Sequence, residues 1–227
     1  MKAIVLAAGR GQRMRPLSDT CPKPLLEVHG RRLIEWHLEA LAKAGVREVV
    51  VNTAWLEEQI VATIGDGARF GLAIAYSREG RDHDGALETA GGIANALPLL
   101  GTEPFLLVNA DVYCECDFAR LRGVSLGDRL AHLVVVPNPP HKAKGDFELR
   151  GGLIVGDDPA PRYTYSGVAL MKPALVAPVK PGEKAALAPL LYAAAGNRRL
   201  GGELYEGLWQ DVGTIERLAE LEAHLQR

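Results

Sequence analysis

Four features of this 227-residue chain bring together residues suited to chemistry on phosphates. The first is a glycine-bearing turn, Gly9-Arg10-Gly11-Gln12-Arg13-Met14-Arg15, directly after an apolar run from Ala3 to Ala8. Glycines let backbone come close to a ligand and turn amide N–H groups into a concavity that suits an anion. Arg10, Arg13 and Arg15 add fixed charge with forked donors for phosphate. The second is Lys23, set between Pro22 and Pro24, whose locked φ angles narrow the path of that backbone. The third and fourth are Asp111 and Asp211, two carboxylates far apart in sequence, each following an apolar strand-like run. Brought to one crevice they repel when charged and call for a cation between them; hard oxygen ligands beside a polyphosphate favour Mg²⁺. From the residues alone, two plainer readings carry similar weight. The glycines make an ordinary turn with solvated arginines, and the aspartates are structural caps.

Two other phosphate-binding spellings fit less well. A dinucleotide fingerprint wants a small residue where Met14 stands and an acid at the end of the second strand, but the second apolar run, Glu48 to Val51, ends at Asn52. A Walker lysine follows its second glycine directly, and here Gln12 does.

The elements that must position these residues alternate between strand and helix. Ala3 to Ala8 reads as a strand buried on both faces. Arg32 to Ala44 reads as an amphipathic helix, with Leu33, Ile34, His37, Leu38, Leu41 and Ala42 on one face and Gly45 as its stop. His37 on that apolar face is expected in the core. Glu48 to Val51 then completes a βαβ unit. A helix over 55–64 and a strand over 72–76 follow. Ser77 to Ala86 is polar and glycine-containing, and is expected to be a mobile solvated loop. Leu87-Glu88-Thr89-Ala90-Gly91-Gly92 opens a helix whose small residues would let a flat base or ribose lie against backbone, or would merely allow close packing. Further strands are expected over 105–108, 131–136 and 163–171, with a hairpin over 147–155. Lys184 to Ala195 and Ile215 to Gln226 read as helices, the latter capped by Thr214.

Composition bounds the function. Hydrophobic residues make up 48% and charged residues 24%, with a formal net charge of −2. That balance gives no field favouring nucleic acid or an anionic membrane, and basic residues are local, as suits a small anionic substrate. No apolar run approaches a membrane span, and the first strand begins without a charged-then-apolar leader. Three cysteines, an odd number, fit reduced thiols, so a cytoplasmic location is expected.

The string LAAGRGQRMRP followed by PKPLLEV closely resembles the opening signature of the sugar-1-phosphate nucleotidylyltransferases. The resemblance continues through LETAGG, Asn109-Ala110-Asp111, Tyr165-Ser166-Gly167 and Trp209-Gln210-Asp211-Val212-Gly213-Thr214. Alanine at 110 departs from the usual glycine. The resemblance implies a three-layer α-β-α sandwich around a mostly parallel mixed sheet, of the nucleotide-diphospho-sugar transferase type. It implies one domain, with residues 1–112 binding nucleotide and 113–227 binding sugar. Leu6, Ala7, Ala8, Gly9, Gly11 and Gln12, with Arg13, Lys23, Glu88, Gly91 and Asn109, would contact the nucleoside triphosphate. Arg13, Lys23 and Asp111 would be catalytic, and Asp111 with Asp211 would hold Mg²⁺. Asn109, Asp146, Ser166, Gly167 and Asp211 would contact a sugar 1-phosphate, with His141, Lys142, Lys144 and Arg162 as cations on that side. No nucleic acid or membrane partner is expected, and the chain would act as a monomer or small homo-oligomer.

Within the family, the strings and the chain length most resemble the branch that moves UMP from UTP to N-acetylmuramate 1-phosphate in bacterial cell-wall recycling. Guanylyl transfer to mannose 1-phosphate and thymidylyl transfer to glucose 1-phosphate are the alternatives. An inactive nucleotide-sensing regulatory subunit is the alternative of another class.

Overall fold

The structure, a computed structural model, describes residues 1–156 and 162–226. Its strands are β1 (Ala3–Leu6), β2 (Glu27–Val28), β3 (Arg31–Arg32), β4 (Glu48–Thr53), β5 (Ala73–Arg78), β6 (Phe105–Asn109), β7 (Val112–Cys114), β8 (Ala131–Val136), β9 (Glu148–Arg150), β10 (Leu153–Val155), β11 (Thr164–Met171), β12 (Leu200–Leu204) and β13 (Trp209–Asp211). Its helices are α1 (Leu17–Thr20), α2 (Leu33–Lys43), α3 (Glu57–Ile64), α4 (Glu79–His83), α5 (Glu88–Leu100), α6 (Phe118–Arg122), α7 (Leu187–Gly196) and α8 (Ile215–Leu225).

One nine-stranded sheet, in the order β5-β4-β1-β6-β11-β8-β12-β10-β9, carries strands from both halves of the chain. Only β11 and β10 run against the other strands, so the sheet is mixed but mostly parallel. The period of two decides which layer each side chain joins. Along β1, Ala3 and Val5 pack with Ile34, Leu38 and Leu41 of α2 and Ile60 of α3. Ile4 points the other way, to Ala90 and Ile93 of α5 and Leu191 of α7. Helices thus cover both faces of the sheet, in three layers. Among the described residues no helix is long and apolar enough to cross a membrane.

A third, smaller core explains why the glycine turn holds its shape. Met14 is fully buried with Leu26, Val28, Leu33, Tyr113, Val212 and Leu221. The side chain that spoils a dinucleotide fingerprint is therefore the plug that fastens the turn to α2, α8 and the β7–β13 ladder.

Two segments differ from expectation. The polar stretch after β5 is no solvated loop, because it contains α4, whose first residue, Glu79, is completely buried. Spelling misled here because a buried carboxylate with good hydrogen-bond partners has the same letter as a solvated one. The helix expected from Lys184 begins at Leu187. The three residues before it are not helical, and the Ala185 carbonyl accepts from both Ala90 and Gly91 N–H at 2.9 and 3.0 Å.

Candidate functional site

A cavity of about 440 Å³ opens beyond the carboxyl ends of β1, β4 and β6, where Leu6, Asn52 and Asn109 line it. From β1 the chain goes to β4 on one side and later returns to β6 on the other. That is the switch point at which open α/β sheets bind ligands.

The glycine turn forms one wall. Gly11 has φ +65°, and a Cβ there would lie 3.2 Å from Cβ of Lys23, so glycine suits both the left-handed turn and the close lysine stem. Ser18 Oγ donates to the Gly11 carbonyl at 2.8 Å, closing the turn onto α1. Gly9, Gln12 and Arg13 line the cavity. The other two arginines are spent elsewhere. Arg10 stacks 4.2 Å over the ring of Trp55, and Arg15 pairs with Asp19 at 2.8 Å. Of the three expected phosphate ligands in the turn, only Arg13 faces the cavity.

The Lys23 ammonium reaches the cavity floor, where its Nζ donates to Asp111 Oδ2 at 2.8 Å. Its side chain is only 7% exposed while that of Asp111 is 45% exposed. The lysine is thus fixed and the aspartate open. Asp111 sits in the turn between β6 and β7, and its carbonyl accepts from Val212 N–H at 2.9 Å. Across the β7–β13 ladder, Asp211 pairs in register with Val112. His37, in the core as expected, braces the same ladder, its Nε2 lying 2.6 Å from the Val112 carbonyl. Burial pulls the His37 pKa down to about 4, against the opposing effects of that hydrogen bond and of Asp111.

Asp211 lines an adjoining cavity of about 350 Å³, together with Trp209, His141 and Arg217. Its Oδ2 accepts from Arg217 Nη1 at 2.6 Å and lies 3.4 Å from His141 Nε2. Gly213 stands between the two cavities. A Cβ there would be 2.9 Å from both Arg13 Nη2 and Asp211 Oδ1. Each aspartate therefore already has its own protein cation, so mutual repulsion is not what calls for a metal. By type the two carboxylates suit Mg²⁺, and Asp111 is open to the main cavity while Asp211 lines the adjoining one. The charges of Arg13 and Lys23 favour an anion there, so a Mg²⁺ ion would fit best together with a polyphosphate. Mg²⁺ takes few protein carboxylates and keeps several waters. Among the described residues no group of three or more His, Cys, Asp or Glu gathers as a denser metal site would need.

Of the other expected nucleotide contacts, Leu6, Ala7, Ala8, Glu88 and Asn109 line the main cavity. Gly91 does not. Its N–H is held by Ala185, and a Cβ would sit 2.3 Å from the Glu183 carbonyl oxygen, so its smallness serves packing between α5 and the 183–185 segment. On the sugar side, Gly167 lies at φ +82° in a bulge of β11, and a Cβ there would be 2.8 Å from Asn109 Nδ2. The glycine thereby lets Asn109 reach the cavity. Ser166, buried, points into the fold: its hydroxyl donates to the Val134 carbonyl at 2.7 Å and accepts from Val168 N–H at 3.1 Å. It shapes the bulge, and its one hydroxyl proton is committed within the fold. Asp146 Oδ2 accepts from Lys142 and from Tyr165 N–H, at 2.6 and 2.9 Å. Arg162 donates to the Gly156 carbonyl, and Lys144 makes no ion pair among the described residues.

Sequence reading missed two residues, Asn52 and Glu79. Their buried side chains join the β1 wall of the cavity to the start of α5. The one available signal was an asparagine ending an otherwise apolar strand.

Fold and site together put a cavity walled by a glycine turn and by Arg13 and Lys23 at the switch point of a mostly parallel α/β sheet. The family model described as nucleotidyl transferase matches residues 2–143, and the chain belongs to that family. It is 49% identical over 228 residues to the N-acetylmuramate alpha-1-phosphate uridylyltransferase of Neisseria meningitidis serogroup B, covering 98% of this chain and 97% of that one. A protein of the same description from Caulobacter vibrioides is 33% identical, across 98% of this chain and 96% of its own. The fold matches the crystal structure of HddC from Yersinia pseudotuberculosis complexed with GMP-PN, with a TM-score of 0.79, 17% identity and 99% of each chain covered.

Proposed function

We propose that the protein transfers UMP from UTP to N-acetylmuramate 1-phosphate, releasing pyrophosphate, as an Mg²⁺-dependent cytoplasmic enzyme of cell-wall recycling. The observation that carries the choice of substrates is the 49% identity, over nearly the whole of both chains, to the Neisseria protein of that description.

The chemistry asks little of nucleophilic side chains. The attacking group is a sugar-phosphate oxygen that is already ionised. It forms a P–O bond to the α-phosphorus, the bond bridging the α- and β-phosphates breaks, and its electron pair leaves with pyrophosphate. Catalysis then rests on alignment and charge neutralisation. In this reading the Gly9–Gly11 backbone and Arg13 hold the β- and γ-phosphates. Lys23, fixed at the cavity floor, offsets the repulsion between the α-phosphate and the incoming sugar phosphate. Asp111 and Asp211 are the residues that would hold Mg²⁺, which when bound supplies Lewis-acid charge at phosphoryl oxygens. Asn109 orients the ligand at the junction of the nucleotide and sugar regions.

Pyrophosphate release, measured for each nucleoside triphosphate against several sugar 1-phosphates, tests the reading. UTP with N-acetylmuramate 1-phosphate is expected to give the highest kcat/KM. The lactyl carboxylate should favour it over N-acetylglucosamine 1-phosphate by about tenfold or more, as one charge-assisted contact supplies. Excess chelator should abolish turnover and added Mg²⁺ restore it. Best turnover with mannose or glucose 1-phosphate would overturn the substrate assignment, and full turnover in chelator would overturn the metal.

A further inference from the structure

We infer that Asn52 and Glu79 are positioning residues, a buried relay that sets the distance between the two walls of the nucleotide cavity and works only when one donor meets one acceptor at its centre. The relay rests on the reading that this cavity takes the nucleoside triphosphate.

One wall is the β1 end, Ala7 to Gly9; the other is the segment Ala86 to Thr89 at the start of α5. Ala7 N–H donates to Asn52 Oδ1 at 2.8 Å and shares a longer bond, 3.2 Å, with the Asn52 backbone carbonyl. Asn52 Nδ2 donates to Glu79 Oε1 at 2.6 Å. Leu87 N–H donates to Glu79 Oε2 at 2.8 Å. Asn52 is 3% exposed and Glu79 is 0% exposed, so water does not substitute for any of these partners. The α5 end is also a place where backbone must be held. Glu88, which lines the cavity, has φ +60°, an uncommon conformation for a side chain of its kind. Gly92 leaves room for the relay, since a Cβ there would lie 2.6 Å from both Asn52 Nδ2 and Glu79 Oε1.

The polarity follows from the two ends. Both are backbone N–H groups, which can only donate, so each side chain must present an oxygen outward. The inner contact then needs one donor facing one acceptor. Asn52 with Glu79 provides that. Two amides would oppose donor to donor, and two carboxylates would oppose acceptor to acceptor unless one takes up a proton, which assay at high pH disfavours. Making Asn52→Asp and Glu79→Gln together exchanges the chemistry while keeping the side-chain lengths, and restores all three bonds with the inner one reversed. Burial raises the Glu79 pKa, while its bonds from Leu87 and Asn52 favour the ionised form. Glu57 opposes ionisation and His83 assists it.

The test compares wild type, Glu79→Gln, Asn52→Asp and the double variant Asn52→Asp/Glu79→Gln. UTP affinity is measured by calorimetry, kcat and KM by pyrophosphate release, and amide exchange is followed at Ala7 and Leu87. Each single variant is expected to weaken UTP binding by about tenfold or more, with kcat at saturation changed less, and to speed exchange at those amides. The double variant is expected to recover affinity to within about threefold of wild type and to restore both protection factors. Should a single variant not fold, the double variant carries the test alone. Folded single variants that bind UTP as wild type does would overturn the relay. So would a folded double variant no better than the worse single one. Failure of wild type to bind UTP would instead refute the substrate reading, and the amide exchange still reads the relay on its own.

Discussion

His37 predicts a measurable acid sensitivity. Its imidazole is 1% exposed and its Nε2 lies 2.6 Å from the Val112 carbonyl, so that nitrogen carries the proton of a neutral ring. Burial lowers its pKa from 6.5 to about 4. The unfolded chain therefore takes a proton as pH falls through about 6.5, while the folded chain resists until about 4. The resulting stability is fully present above the upper value and is lost progressively across the window down to the lower one. At about 1.4 kcal/mol per unit, the whole effect is about 3 kcal/mol, a large share of the roughly 5–15 kcal/mol that holds a typical domain. His37→Gln retains a donor for the Val112 carbonyl but does not titrate. Urea unfolding of both proteins between pH 7.5 and 4.5 isolates the histidine. Carboxylates held below their ordinary range by hydrogen bonds, Glu35 from Arg32 and Arg69 and Glu203 from His132 and Arg120, act alike in both proteins and cancel on subtraction. The stability difference, wild type minus variant, should fall by about 2–3 kcal/mol as pH is lowered across the window. A difference that stays flat with pH would refute the argument that this ring is buried neutral.

Lys23→Ala should depress kcat more than it weakens nucleoside triphosphate binding, because the ammonium matters most when two phosphates are forced together; weaker binding with unchanged kcat would count against that role. Gly167→Ala places a Cβ at φ +82° and 2.8 Å from Asn109 Nδ2, so thermal unfolding should show a loss of about 1–2 kcal/mol and kcat/KM should fall as Asn109 is displaced. Asp117→Ala removes a cap that accepts from Arg120 N–H at 2.9 Å at the start of α6, which should cost about 1 kcal/mol in urea unfolding and leave turnover intact.

The sequence by itself determined the class of fold and most of the cavity. Alternating apolar runs and amphipathic helices pointed to an α/β fold, and the resemblance to a known family supplied the three layers. A glycine turn after the first strand, with a lysine fixed between prolines, fits an anion and equally an ordinary turn, and the family resemblance is what favoured the anion. Those are local properties, readable from spacing. Tertiary structure decided which members of a motif were free to act. Arg10 and Arg15 carry the same charge as Arg13, yet Trp55 and Asp19 claim them. Ser166 sits in the expected motif, but its hydroxyl is bonded to the Val134 carbonyl and the Val168 amide inside the fold. Gly91 is small for the sake of Glu183, and Met14 is large because Val212 and Leu221 close over it. Glu79 shows the reason most directly. A carboxylate is buried or solvated according to whether donors from β4 and the start of α5 meet it, and that meeting exists only once the chain has folded.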